Sequence, residues 1–177
     1  MQYVGQPVAA VVATSRALAR QAAARARASL TISALPALLD PRQAHAQQHY
    51  VAPPLHRVRE SKPGALQAAM AAAPHRHRGS FSLGGQEQFY LEGQIAYAVP
   101  LEDAGMQVFS STQHPSEMQT VVARAIGVAA HRVQVECRRM GGGFGGKESQ
   151  SALFAASAAI AAQRLRSEEH TSELQSH

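Results

Sequence analysis

The chain has 177 residues, 45% hydrophobic but only 5% aromatic and without tryptophan, which allows one ordinary domain or two small ones with a core made largely of alanine. The net charge of +5 is mostly arginine, spread along the chain without interleaved aromatics, and so reads as solvated surface rather than a nucleic-acid site. The single cysteine, Cys137, excludes an internal disulfide and a cysteine-held iron–sulfur cluster, and no apolar run reaches membrane-spanning length, so a soluble cytoplasmic protein is expected.

The first elements read strand, helix, strand. Val8 to Ala13 is a short apolar run, and Thr14 or Ser15 can cap a helix from Arg16 to Ala28. Arginines 16, 20 and 27 line one face of that helix at the spacing of a wet surface. Leu30-Thr31-Ile32 suggests a second strand, closed by Pro36. Residues 1–39 contain several arginines and no acid, as in transit peptides, but the strand-like start argues for a core element instead. Asp40-Pro41 pairs an N-cap with a first-turn proline and opens a short helix. His45, His49 and His56 are spaced too irregularly for a helical metal site. Gly64 to Ala73 is an alanine-rich helix, and Ser80-Phe81-Ser82-Leu83 is strand-like.

Strands follow at Ile95 to Val99 and Met106 to Ser111, separated by an acidic, glycine-bearing turn. Pro115 starts a helix whose apolar stripe is Val121, Val122, Ala125 and Ile126, and Gly127 ends it. His131 to Cys137 alternates as a strand, and Ser149 to Leu165 is an alanine-rich helix. Strand and helix alternate, which predicts an α/β fold with a mixed sheet and helices on one side. The polar residues 166–177 do not fit this pattern; they are expected to be a non-native tail and do not enter the fold reading.

Between the last strand and helix lies Met140-Gly141-Gly142-Gly143-Phe144-Gly145-Gly146-Lys147-Glu148. Backbone N–H groups on such a turn can face an anion, and glycine permits both close approach and positive φ. Gly141-x-Gly143-x-x-Gly146 matches a dinucleotide fingerprint in spacing, but no strand ending in an acid follows the helix. Gly141-x-x-x-x-Gly146-Lys147 matches most of a phosphate-binding loop, but Glu148 stands where a magnesium-binding Ser or Thr belongs. A nucleotide-binding α/β module using the Gly141–Gly146 turn therefore stays an alternative with a chemical defect.

Three ordered motifs resemble the molybdenum hydroxylase family, which contains the xanthine dehydrogenases and aldehyde oxidases. They are Gly84-Gly85-Gln86-Glu87-Gln88-Phe89-Tyr90-Leu91-Glu92, Ser110-Ser111-Thr112-Gln113-His114-Pro115-Ser116-Glu117, and Arg138-Arg139-Met140 with the glycine run to Glu148. The resemblance runs from about Tyr3 to about Leu165. It implies that residues 1–45 are the end of an α/β hammerhead domain entered partway at Met1, and that 46–165 begin a molybdopterin-binding domain. It further implies a molybdenum–molybdopterin cofactor held through Gln86, Gly143, Phe144 and Gly145, with Gln86 and Phe144 facing the molybdenum's oxygen ligands. Glu148 matches the carboxylate that contacts purine in the xanthine branch, where aldehyde-oxidising relatives are usually apolar. The implied reaction hydroxylates a carbon beside a ring nitrogen, hypoxanthine or xanthine to urate, with oxygen from water. 2Fe–2S clusters and FAD are expected on a partner subunit or in a missing region. No catalytic residue is assigned, because the family's catalytic glutamate and purine-orienting arginine lie further downstream than this chain reaches.

Overall fold

A computed structural model describes residues 6–53, 55, 61–166 and 169–172. His56 lies outside the described residues. The described chain falls into two units, one of residues 29–84 and one of the remainder.

In the first of these, α1's successors α2 and α3 are short. With α1 as Arg16–Ala28, α2 is Pro41–Ala46 and α3 is Ala65–Ala72. The Asp40 carboxylate accepts the Arg42 N–H at 2.7 Å, as the Asp-Pro signal leads one to expect. The Tyr50 hydroxyl lies 2.8 Å from His45 Nδ1. No residue of either helix is buried.

The strands expected at Val8–Ala13, Leu30–Ile32 and Ser80–Leu83 are not formed. Their apolar side chains, among them Val12, Leu30, Ile32 and Phe81, are exposed. A strand is stabilised by a neighbour's ladder and a covered face, and these segments have neither among the described residues.

The second unit holds the whole buried core. Its strands are β1 (Ile95–Pro100), β2 (Met106–Ser110), β3 (Val133–Glu136) and β4 (Glu169–Ser172), in the spatial order β3-β2-β1-β4. β1 pairs antiparallel with β2 and β4, while β2 and β3 are parallel, joined by the crossover helix α4 (Pro115–Ile126). Gly127 ends α4 at φ 73, in the left-handed region that glycine adopts without strain. β4 lies within the polar stretch after α5 and pairs along β1, whose outer backbone groups accept any extended segment that reaches them, whatever its side-chain pattern.

One face of the sheet is covered by α4 and α5 (Ser151–Leu165). Alternation along β1 and β2 turns Ala96, Ala98, Met106 and Val108 into this core, against Met118, Val122 and Ile126 of α4. α5 contributes Ala155, Ala158, Ala159 and Ala162, an i, i+3, i+4, i+7 stripe with no exposed area. Such small side chains bring the helix axis close to β1. The opposite face carries Tyr97 stacked on Phe109 at 6.0 Å, with the Arg138 guanidinium 5.0 Å from the Phe109 ring. Among the described residues no helix is long and apolar enough to cross a membrane.

Replacing Ala158 with leucine should overfill the α5–sheet contact and lower unfolding free energy by about 1–3 kcal/mol. Replacing exposed Leu18 with alanine should change it by no more than about 0.5 kcal/mol. Chemical denaturation of both variants checks the pair.

Candidate cofactor-facing loop

The glycine run leaves β3 and returns to α5, and its shape is set from beneath by Lys147. That side chain has no exposed area. Its Nζ lies 2.7 Å from Glu92 Oε2 and 2.9 Å from Ser111 Oγ, and 4.8 Å from the centre of the Tyr90 ring. A buried ammonium without a partner would cost several kcal/mol, so the loop is stable only where Glu92 can reach it. The same Glu92 oxygen also accepts the Ser111 hydroxyl at 2.5 Å and the Gly141 N–H at 2.7 Å. Burial works to raise the Glu92 carboxyl, but hydrogen bonds from Lys147, Ser111 and Gly141, with the Lys147 charge, hold it below its ordinary value.

Gln113 holds the other side. Its Oε1 accepts the Gly145 N–H at 2.9 Å and the Lys147 N–H at 3.2 Å. Its own backbone N–H donates to the Lys147 carbonyl at 2.9 Å, and the Thr112 hydroxyl donates to that carbonyl at 3.1 Å. The Gln94 amide donates to the Gly146 carbonyl at 3.0 Å. The glycines are needed for this fit: a Cβ on Gly141, Gly143 or Gly146 would stand 2.6, 2.5 or 2.6 Å from Glu92, Gln113 or Tyr90 respectively.

Phe144 sits at the loop's crest with φ 46 and a side chain 75% exposed. Its N–H has no partner among the described residues. Beside it Gly145, at φ 89, faces open space, with nothing within 4 Å of where a Cβ would be. Gly143 is buried against Gln113, and Glu148 is exposed. Gln86 is also exposed, on the extended stretch leading to Gln88 and Tyr90, which back directly onto Gly146. Gly143, Phe144, Gly145 and Glu148 are thus gathered in one loop, and Gln86 lies two residues before the part of the chain that touches it.

Sequence reasoning missed the residues that hold the loop: Glu92, Ser111, Gln113 and the true use of Lys147. All four lie inside the three motifs, where a polar residue at every turn of a glycine-rich pattern was the available signal. The geometry also speaks against the nucleotide alternative. A phosphate-loop lysine must reach its ligand, whereas Lys147 is buried on a carboxylate, and the Gly145 and Lys147 N–H groups point inward at Gln113.

No group of three His, Cys, Asp or Glu side chains that could hold a metal ion occurs among the described residues. A metal here would arrive with its own ligands, and the loop would offer an N–H donor at Phe144 and backbone access at Gly145. That donor set suits the oxygen-bearing face of such a cofactor. Residues 45–169 match the family described as molybdopterin cofactor-binding domain, and the chain belongs to that family. It is 43% identical over 162 residues to a xanthine dehydrogenase of Drosophila pseudoobscura pseudoobscura, covering 92% of this chain and 12% of that protein. It is 39% identical over 163 residues to a xanthine dehydrogenase of Emericella nidulans, with 92% and 12% covered. Among solved structures, quinoline 2-oxidoreductase from Pseudomonas putida 86 is similar, with a TM-score of 0.50 and 25% identity over 62% of this chain and 14% of that one. The chain spans about an eighth of the length of the curated relatives it matches.

Because the folded state holds the Glu92 carboxyl below its ordinary value of 4.5, its contribution to stability is complete above that value. It is lost as pH falls through the lower folded value. Stability measured by denaturation from pH 6 down to pH 3 should therefore decline, and less steeply in Glu92→Gln. Glu92→Leu leaves Lys147 buried and unpaired and should cost roughly 3 kcal/mol or more.

Proposed function

We propose that the chain is the part of a molybdenum hydroxylase that holds one side of the molybdopterin cofactor and one edge of a purine substrate. The observation that carries this reading is the Phe144 N–H, without a partner among the described residues, on a loop held through the Gly141, Gly145, Gly146 and Lys147 N–H groups, beside the open backbone of Gly145. In this reading Gln86 and the Phe144 N–H donate hydrogen bonds to the oxygen ligands of the cofactor's metal, adding no charge. Gly145 keeps the backbone open for close approach, while Gly143 supports the loop by letting Gln113 pack against it. The cofactor itself supplies the two-electron oxidation at a ring carbon, with oxygen drawn from water. Glu148 accepts a hydrogen bond from a ring N–H of the purine, or takes that proton, and so orients hypoxanthine or xanthine for oxidation to urate.

Residues 46–165 form the start of the cofactor domain, and residues 1–45 the end of a hammerhead domain. The exposed Val12, Leu30 and Ile32 support that second assignment, since strands there would form only against the rest of such a domain. Electrons leave through 2Fe–2S clusters and FAD carried elsewhere in the enzyme, in the cytoplasm. A second reading keeps the cofactor and changes the substrate to an aldehyde or another N-heterocycle. The similarity to a protein titled quinoline 2-oxidoreductase favours retaining it.

The isolated chain should retain almost no molybdenum after expression in a host that makes the cofactor, and should not oxidise xanthine. Elemental analysis with a dye-linked xanthine assay tests this, and measurable turnover refutes it. In a longer enzyme carrying this segment, Glu148→Ala should lower kcat/KM for xanthine about tenfold or more while sparing aldehydes. Equal losses on both substrates would move the assignment to the second reading.

A further inference from the structure

The Gly145 and Lys147 N–H groups converge on a single oxygen, Gln113 Oε1, at 2.9 and 3.2 Å. Two backbone donors aimed at one point, with Gly145 at φ 89, form a concave backbone nest of the kind that binds anions. Here the nest is filled by the protein's own neutral amide, which also stands where a Cβ on Gly143 would have to go. Gln113 is anchored in turn by its backbone N–H on the Lys147 carbonyl at 2.9 Å, so side chain and main chain clasp the same residue.

We propose that Gln113 is a positioning residue for the cofactor loop: an internal plug that occupies the Gly145–Lys147 nest and leaves Phe144 as the loop's outward donor. The Gln113 amide oxygen does what a bound phosphate oxygen does in an anion-binding loop, without its charge. With the plug in place an anion is refused at Gly145. The inference rests on the reading of this loop as cofactor-facing, but its test needs no cofactor, so the two can fail separately.

Gln113 is exposed, and its truncation opens no cavity in the core. In the full 177-residue chain, NMR amide exchange should show Gly145 and Lys147 protected, and Phe144 exchanging freely. Gln113→Ala should speed exchange at Gly145 and Lys147 about tenfold or more while amides of β1 and α5 keep their rates. Gln113→Glu, which retains the acceptor, should preserve the protection. Titrating inorganic phosphate should shift the Gly145 and Lys147 amide signals in Gln113→Ala and leave the wild type unmoved. Unchanged Gly145 exchange in Gln113→Ala overturns the proposal, as does phosphate binding by the wild-type loop. Gln113→Met, matched in length but lacking the acceptor, guards against a folding defect. Global unfolding of both the Ala and Met variants would make Gln113 a general stability residue and likewise overturn it.

Discussion

Everything about the glycine loop depends on one buried ammonium. Lys147 has no exposed area, and its charge can be tolerated only by drawing a carboxylate in after it. Glu92 answers from a segment 55 positions earlier and brings the Gly141 N–H with it, while Ser111 shares the same oxygen from just beyond β2. Three stretches far apart in the chain are therefore tied at a single point. The loop above them owes its shape to that point more than to the freedom of its glycines.

The alanine stripe of α5 serves the same arrangement. Ala155, Ala158, Ala159 and Ala162 let the helix lie close on β1, and the loop that feeds it is held close to the sheet as well. Ser151, at the start of α5, sits 3.0 Å from the Thr112 hydroxyl and 3.1 Å from the Lys147 carbonyl, so small polar residues continue the close contact where the alanines stop. A core of larger side chains would stabilise the sheet more per residue but would hold these groups beyond hydrogen-bond reach.

Local signals were legible and non-local ones were not. The helix over Arg16–Ala28 follows from arginine spacing, the Asp40 cap from Asp-Pro, and the end of α4 from Gly127, because each is decided within a few residues. β1, β2 and β3 were expected as strands, the last two from alternation. The segments at Val8, Leu30 and Ser80 carry the same kind of pattern but lack a ladder to join, and pattern alone does not distinguish the two cases. β4 shows the reverse, a strand without strand-like composition, made by backbone pairing to β1. At the loop, the residues proposed to meet a ligand came from family likeness alone. Gln113 and Glu92 were not singled out, since their role exists only once distant segments meet.

The pairing of Glu169–Ser172 with β1 has a consequence for the molecule's behaviour in solution. It makes β1 an interior strand; without it, a row of hydrogen-bonding groups from Ile95 to Ala98 would face water, ready to template another chain. A copy ending at Arg166 would then be prone to self-association through sheet extension, and concentration would govern how much of it remained monomeric.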